Sequence, residues 1–159
     1  MTDGDESIRQ TVAESSFFSG LDDDAVDFLA AHATRRRLDK GQVLFHQGER
    51  AEHFYLMLAG HLSLGIPALE GPSLELQDIG PGQIAGWSWL MPPNLWTFQA
   101  RARTAIEFLA FDGMAILAHC EEDPEFGYEL IKRFSALMSE RLQFARQKMM
   151  QEWKPLGFA

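Results

Sequence analysis

Hydrophobic and polar positions change their spacing twice along this chain, which divides it into three zones. In the first, residues 7–33, the spacing is helical. Within GLDDDAVDFLAAHA, Ala25, Phe28, Leu29 and His32 recur at intervals of three and four and share one face. Asp22 stands where an N-cap is needed, with Asp23 and Asp24 in the first turn. Carboxylates there accept free backbone N–H groups and sit at the positive end of the helix dipole. An aspartate triplet also suits a metal, but no further ligand pattern accompanies it, and capping is the reading kept.

The second zone, residues 34–111, consists of short apolar runs between glycines: VLFHQG, HFYLMLAG, HLSLGI, LELQDIG and AIEFLAF. Gly41, Gly48, Gly60, Gly65, Gly71, Gly80, Gly82 and Gly86 punctuate them. β-branched and aromatic runs with turn residues between them, and no helix, predict an antiparallel barrel or sandwich of the jelly-roll (double-stranded β-helix) kind.

The third zone, residues 112–154, is helical again. Asp112 can cap GMAILAHC, and Asp123-Pro124 places a cap before a proline at the first helical position. Leu130, Phe134, Met138, Leu142, Ala145, Met149 and Trp153 then form one stripe, and Lys154-Pro155 should end the helix. About 30 helical residues span ~45 Å, more than the roll needs to cover itself. The overhanging stripe from Leu130 to Met149 predicts a homodimer through this helix, with another protein as the alternative partner. The fold class is therefore mainly β with flanking helices, in one domain over residues 1–159.

Composition narrows the function. The 159 residues carry 14 Lys and Arg against 23 Asp and Glu, a formal net charge of −9. Phosphate backbones attract basic surfaces, so direct DNA binding is not expected. The one basic run, Arg35 to Arg37, reads as a solvated face. No apolar run reaches the ~18 residues of a membrane span, and the start, MTDGDESIRQ, is no signal peptide. With Cys120 as the sole cysteine, no intrachain disulfide can form. A cytoplasmic location away from the membrane is expected.

The order of these pieces resembles the cyclic-nucleotide-binding domain of the catabolite-activator/FNR (Crp/Fnr) regulators. FFSGLDDDAVDFLAAHA resembles the lead-in helix, DKGQVLFHQGER the first strands, FYLMLAGHLSL the tyrosine-to-glycine strand, and IGPGQIAG the turn entering the ligand site. In that family the next segment is the phosphate-binding cassette. Its glutamate accepts the ribose 2′-hydroxyl and its arginine pairs with the cyclic phosphate. The resemblance implies that cassette, short helix and long helix move together when ligand binds.

Here the segment reads GWSWLMPPNLWTFQARA. Aligned from Gly86 to the closing Ala102 without a gap, Trp87 takes the glutamate position, Trp96 the arginine position and Thr97 the position after it. An indole offers one weak donor and a π-face that repels anions. Losing both contacts removes about 3–5 kcal/mol. Weak or altered cyclic-nucleotide binding is the expectation. Three fates are open for Trp87, Trp89 and Trp96: filling the pocket, covering a dimer contact, or lining a site for a less polar ligand. Pro92 and Pro93 remove two backbone donors and stiffen the loop. The candidate ligand residues are Gly86, Trp87, Ser88, Trp89, Trp96, Thr97, Arg101 and Arg103. The two arginines share a strand face, and either the pocket side or the solvent side is possible.

Regulators of this family carry a helix-turn-helix domain after the long helix; here the sequence ends at Ala159, and no such domain is expected. A cupin-like metalloenzyme is the rival from another class. It needs clustered histidines, whereas no two of His32, His46, His53, His61 and His119 are spaced by two. A haem variant using one histidine has no Cys-x-x-Cys-His signal, and Cys120 beside His119 is a weak nucleophile candidate. The expectation is a non-enzymatic regulatory module with no metal or fixed cofactor, binding a cyclic nucleotide or another small ligand, or else acting as a ligand-free dimerisation module.

Overall fold

In the computed structural model, residues 3–67 and 74–152 are described. Helix α1 spans Asp3–Glu14 and α2 spans Asp23–Ala31. Eight strands follow: β1 Ala33–Leu38, β2 Val43–Phe45, β3 His53–Ala59, β4 Leu62–Ile66, β5 Leu74–Ile79, β6 Ile84–Ala85, β7 Gln99–Ala102 and β8 Ile106–Asp112. Helices α3, Gly113–Glu122, and α4, Pro124–Glu152, complete the chain. Asp3 already lies in a helix, four residues ahead of the expected lead-in.

The caps work as their side chains dictate. Asp22 accepts from the Ala25 N–H at 2.8 Å, Asp112 from Ala115 at 3.2 Å and Asp123 from Phe126 at 3.2 Å. Each aspartate removes an orphan donor at a point where the chain changes direction.

The strands form two antiparallel four-stranded sheets, ordered β1-β8-β3-β6 and β2-β7-β4-β5. The expected jelly roll is the observed architecture. Buried side chains of both sheets meet between them, and β3 supplies four consecutive buried residues, Phe54 to Met57. The Arg35–Arg37 run lies along the edge strand β1, with Arg35 and Arg37 both reaching Glu107 of β8. That carboxylate is held below the usual range, first by the Arg35 hydrogen bond. An edge strand carrying three consecutive arginines repels a foreign strand, which protects the sheet margin.

Helix α4 begins inside the molecule and ends outside it. Leu130 and Phe134 are fully buried, and Phe134 packs edge-on against both Phe17 and Phe54 at 5.0 and 5.1 Å. These two members of the expected dimer stripe therefore serve the chain's own core, because the roll and the 3₁₀ turn at Ser16–Phe18 reach them first. Met138 is half-buried, whereas Leu142, Ala145 and Met149 are exposed. Trp153 and the expected stop at Lys154-Pro155 lie outside the described residues.

Candidate functional site

Gly86 follows β6 with φ of +96°, in the left-handed region. A Cβ built there would lie 2.7 Å from Cη2 of Trp96, so glycine alone lets the indole close over the turn. A 3₁₀ turn at Ser88–Leu90 follows. Asn94, at φ of 60°, donates its amide to the carbonyls of Ser88 and Trp89 at 3.3 and 2.9 Å. Asparagine tolerates that backbone and satisfies the turn locally. Backbone bonds then stitch the loop to the β2–β3 connection. The Trp96 N–H donates to the Glu49 carbonyl at 2.9 Å, and the Gly48 and Ala51 N–H groups donate to the carbonyls of Trp96 and Asn94.

The three tryptophans have three different fates. Trp96 is 5% exposed and lies flat on Phe45, with ring centroids 3.8 Å apart and planes 12° apart. Trp89 is fully buried between Phe54 and Phe134, at 5.1 and 5.2 Å, and its indole N–H donates to the Gly86 carbonyl at 3.2 Å. It belongs to the core and does not line a ligand pocket, because the 3₁₀ turn swings it under α3, against Gly113. Trp87 is half-buried, and the guanidinium of Arg141 stands 5.5 Å above its ring. Ser88 is half-buried and Thr97 exposed; both border the space left between Trp87 and Trp96. That space is ≈ 20 Å³, room for about one water.

Arg101 and Arg103 face away from it. In β7 it is Ala100 and Ala102 that point inward, so two-residue alternation sends the arginines out. Arg101 donates to the Gly41 carbonyl at 2.8 Å, and Arg103 lies 3.9 Å from Asp78. Neither belongs to the pocket.

The cation that does reach the site comes from α4. Arg141 is 6% exposed. Its Nη2 donates to the carbonyl of Ile84, two residues before Gly86, and its Nη1 is buried with no partner among the described residues. Burial pushes its pKa down to about 10, which leaves it charged at neutral pH. A second cavity of ≈ 180 Å³ opens beside it between β4, β5 and α4, with Leu64, Leu76, Phe98 and Met138 among its walls. The sequence did carry a signal for Arg141: it follows Phe134 by seven and Met138 by three, so it lies on the inward face of α4.

The histidines are dispersed. His46 pairs with Glu49 at 2.6 Å, His61 with Asp78 at 3.1 Å, and His119 stacks on Phe28 at 3.9 Å. Among the described residues no three His, Cys, Asp or Glu side chains gather as metal ligands. Cys120 is buried, and burial with Asp123 nearby pushes its thiol up to about 11. No helix among the described residues is long and apolar enough to cross a membrane.

A model of the cyclic nucleotide-binding domain matches residues 35–123, more than half of the chain, and includes the whole Gly86–Ala102 segment. The chain belongs to the cyclic nucleotide-binding domain family. It is of the Crp/Fnr type and is a regulatory domain of that family. It is similar to a cyclic AMP receptor protein of Thermus thermophilus, 29% identical over 131 residues, which cover 82% of this chain and 59% of that protein. It is also similar to a CRP-like cAMP-activated global transcriptional regulator of Mycobacterium tuberculosis, 22% identical over 79% of this chain and 56% of that one. The chain thus spans little more than half the length of these relatives. Among solved structures, a cyclic nucleotide-binding protein of Geobacter metallireducens shares the fold with a TM-score of 0.75, at 24% identity over 89% of this chain and 99% of that one. Trp96, inside the matched range, and Arg141, from α4 beyond it, line the same small space.

Proposed function

We propose that this chain is a non-enzymatic regulatory domain in which cyclic nucleotides bind poorly and the site between cassette and α4 takes a different small ligand. One observation carries the reading: the Trp96 ring is stacked on Phe45 and closed over Gly86, which supports a cassette with no room left for a phosphate. A cavity of ≈ 20 Å³ admits no nucleotide, and opening it means exposing a buried indole. Arg141 sits across Trp87 and offers its charge from the α4 side. The relatives named for cyclic AMP supply the family frame, and the departure at Trp87 and Trp96 sets this chain apart from it.

Signalling in this reading runs through packing. Trp89 is part of the cassette and also touches Phe134 of α4, so a shift of one displaces the other. Isothermal titration with cyclic AMP and cyclic GMP tests the proposal. Dissociation constants of about 100 μM or weaker are expected. Low-micromolar binding by the wild-type chain overturns it.

A second property is supported by a separate observation. Leu142 and Met149, seven residues apart and so on one side of the distal half of α4, are 63 and 52% exposed. An apolar face of this kind on a projecting helix fits the same helix of a second copy. The proposed assembly is a homodimer whose seam begins past Met138.

A further inference from the structure

The cavity beside α4 has a composition unlike that of a nucleotide site. Its walls include Leu64, Leu76, Phe98, Met138 and Leu142, and its polar side chains are Gln77 and Arg141. A ribose has several hydroxyls to satisfy, and burying them against aliphatic walls costs free energy for each one left unpaired. A purely apolar ligand has the opposite fault, since it leaves the guanidinium as it is, buried and short of a partner. Arg141 is more than nine-tenths buried, one of its terminal nitrogens has no acceptor among the described residues, and no carboxylate there pairs with it. Its sequence neighbour Glu140 lines, with Arg141 itself, another cavity on the side of Ser16 and Gln83, and acts on the guanidinium through its field without an ion-pair contact.

Buried cations are ordinarily paired, and a guanidinium prefers a planar oxyanion. Nη2 is engaged by the Ile84 carbonyl and Nη1 is enclosed without an acceptor, so a guanidinium that lines this cavity has one nitrogen to turn toward an oxyanion. The volume limits the rest of the ligand. An apolar cavity of about 150 Å³ holds one benzene ring. A space of ≈ 180 Å³ accommodates a single ring or a short branched chain.

We propose that this cavity binds a compact apolar monocarboxylic acid, its carboxylate paired with Arg141 and its hydrocarbon body against Leu64, Phe98 and Met138. The inference deepens the reading above, since it names the ligand class of a site that no longer suits a cyclic nucleotide. The acid supplies the counter-ion that the folded chain lacks. Because Arg141 also holds the carbonyl of Ile84, just ahead of the cassette, the same pairing ties the ligand to both α4 and the Gly86 turn.

The test uses the full chain and four probes: benzoate, phenylacetate, isovalerate and the neutral isostere benzamide. Tryptophan fluorescence and thermal shift report binding, since Trp87 lies under the guanidinium. At least one acid is expected to bind with a dissociation constant of about 1 mM or tighter, and benzamide at least tenfold more weakly. Arg141→Met should weaken the acid tenfold or more, and Arg141→Lys should fall between, because lysine keeps charge but loses the planar fork. Circular dichroism checks that each variant is folded. Absence of binding by all three acids, equal binding of benzamide, or undiminished binding by folded Arg141→Met overturns the inference. Cyclic AMP titrated in parallel separates the two claims: tight nucleotide binding defeats the functional reading, whereas silence from nucleotide and acids alike defeats this inference alone.

Discussion

Trp96 and Phe45 stack face to face at 3.8 Å, joining the loop after Gly86 to strand β2 of the roll. The pair buries two large aromatic surfaces in one contact, and a stacked pair adds about 0.5–1.5 kcal/mol beyond the area it buries. Trp96→Ala should therefore destabilise the chain by about 3–5 kcal/mol, the usual range for truncating a buried large aromatic. Urea unfolding measures it. A loss below about 1 kcal/mol would show that the ring is not packed as described.

Gly86→Ala sets a Cβ against that ring and forces an L-residue to φ of +96°. The expected loss is about 2–4 kcal/mol, from backbone strain and displacement of the indole together. The double variant Gly86→Ala/Trp96→Ala should be less unstable than the sum, because the collision is gone while the strain remains. A double-mutant cycle with a coupling energy near zero would contradict the close approach.

Arg141 carries a buried charge with no carboxylate in contact among the described residues; it has the Ile84 carbonyl, the Trp87 ring and the field of Glu140. Arg141→Met should leave the free chain as stable or more stable, by up to about 3 kcal/mol, since apolar replacement of buried charge is often neutral or favourable. For a chain of this length that is a rise of several degrees in Tm, readable by calorimetry. Because the guanidinium is charged in both states throughout neutral pH, the gain should hold from pH 6 to 9. A fall of more than about 2 kcal/mol would mean that the guanidinium is ion-paired in the folded chain.

Two buried acids set the alkaline limit. Burial raises the Cys120 thiol to about 11 and the Tyr55 phenol to about 12. The unfolded chain releases these protons first, so it binds fewer protons than the folded chain and stability falls as pH rises. The stabilisation is complete below pH ~8.5 for Cys120 and ~10 for Tyr55, and is lost as each folded pKa is passed. Cys120→Ala should flatten the stability profile between pH 9 and 11 and leave the decline above it. The same burial predicts that Cys120 alkylates slowly with iodoacetamide at pH 8 in the native chain and quickly in urea. Equal rates would refute its burial.

Leu142→Glu should give a monomer by light scattering at ~50 μM, a concentration above typical obligate-dimer dissociation constants, where the wild type is dimeric. Leu130→Glu should instead unfold the chain, since Leu130 has no exposure. A monomeric wild type at that concentration removes the proposed seam.

The contrast between those two leucines shows what periodicity can and cannot say. One stripe with one spacing runs from Leu130 to Met149, and nothing in it marks where the roll stops covering the helix. That boundary depends on tertiary partners such as Phe17 and Phe54, distant in sequence. The caps at Asp22, Asp112 and Asp123 were legible because a cap is settled within three residues. The inward face of β7 was not, because Gln-Ala-Arg-Ala has little hydrophobic contrast, and pairing with β2 and β4 is what turns Ala100 and Ala102 inward. The turn at Gly86 was legible, since a glycine after the apolar pair Ile84-Ala85 marks where the strand must break. Arg141 was legible in position but not in role, since its charge reads as solvated until the fold encloses it.

The bond from Arg141 to the Ile84 carbonyl places one residue in two regions at once: it is a site on the helix and a wall of the roll. Coupling free energies are symmetric between binding events. If occupancy of the cavity changes how tightly a second molecule grips the far half of α4, then that grip must change the cavity's affinity by the same factor. The chain's sensitivity to its small ligand is then a property of whatever assembly it has joined. A titration on the isolated chain and one on the assembled chain should read two different constants, and their ratio measures the message passed along the helix.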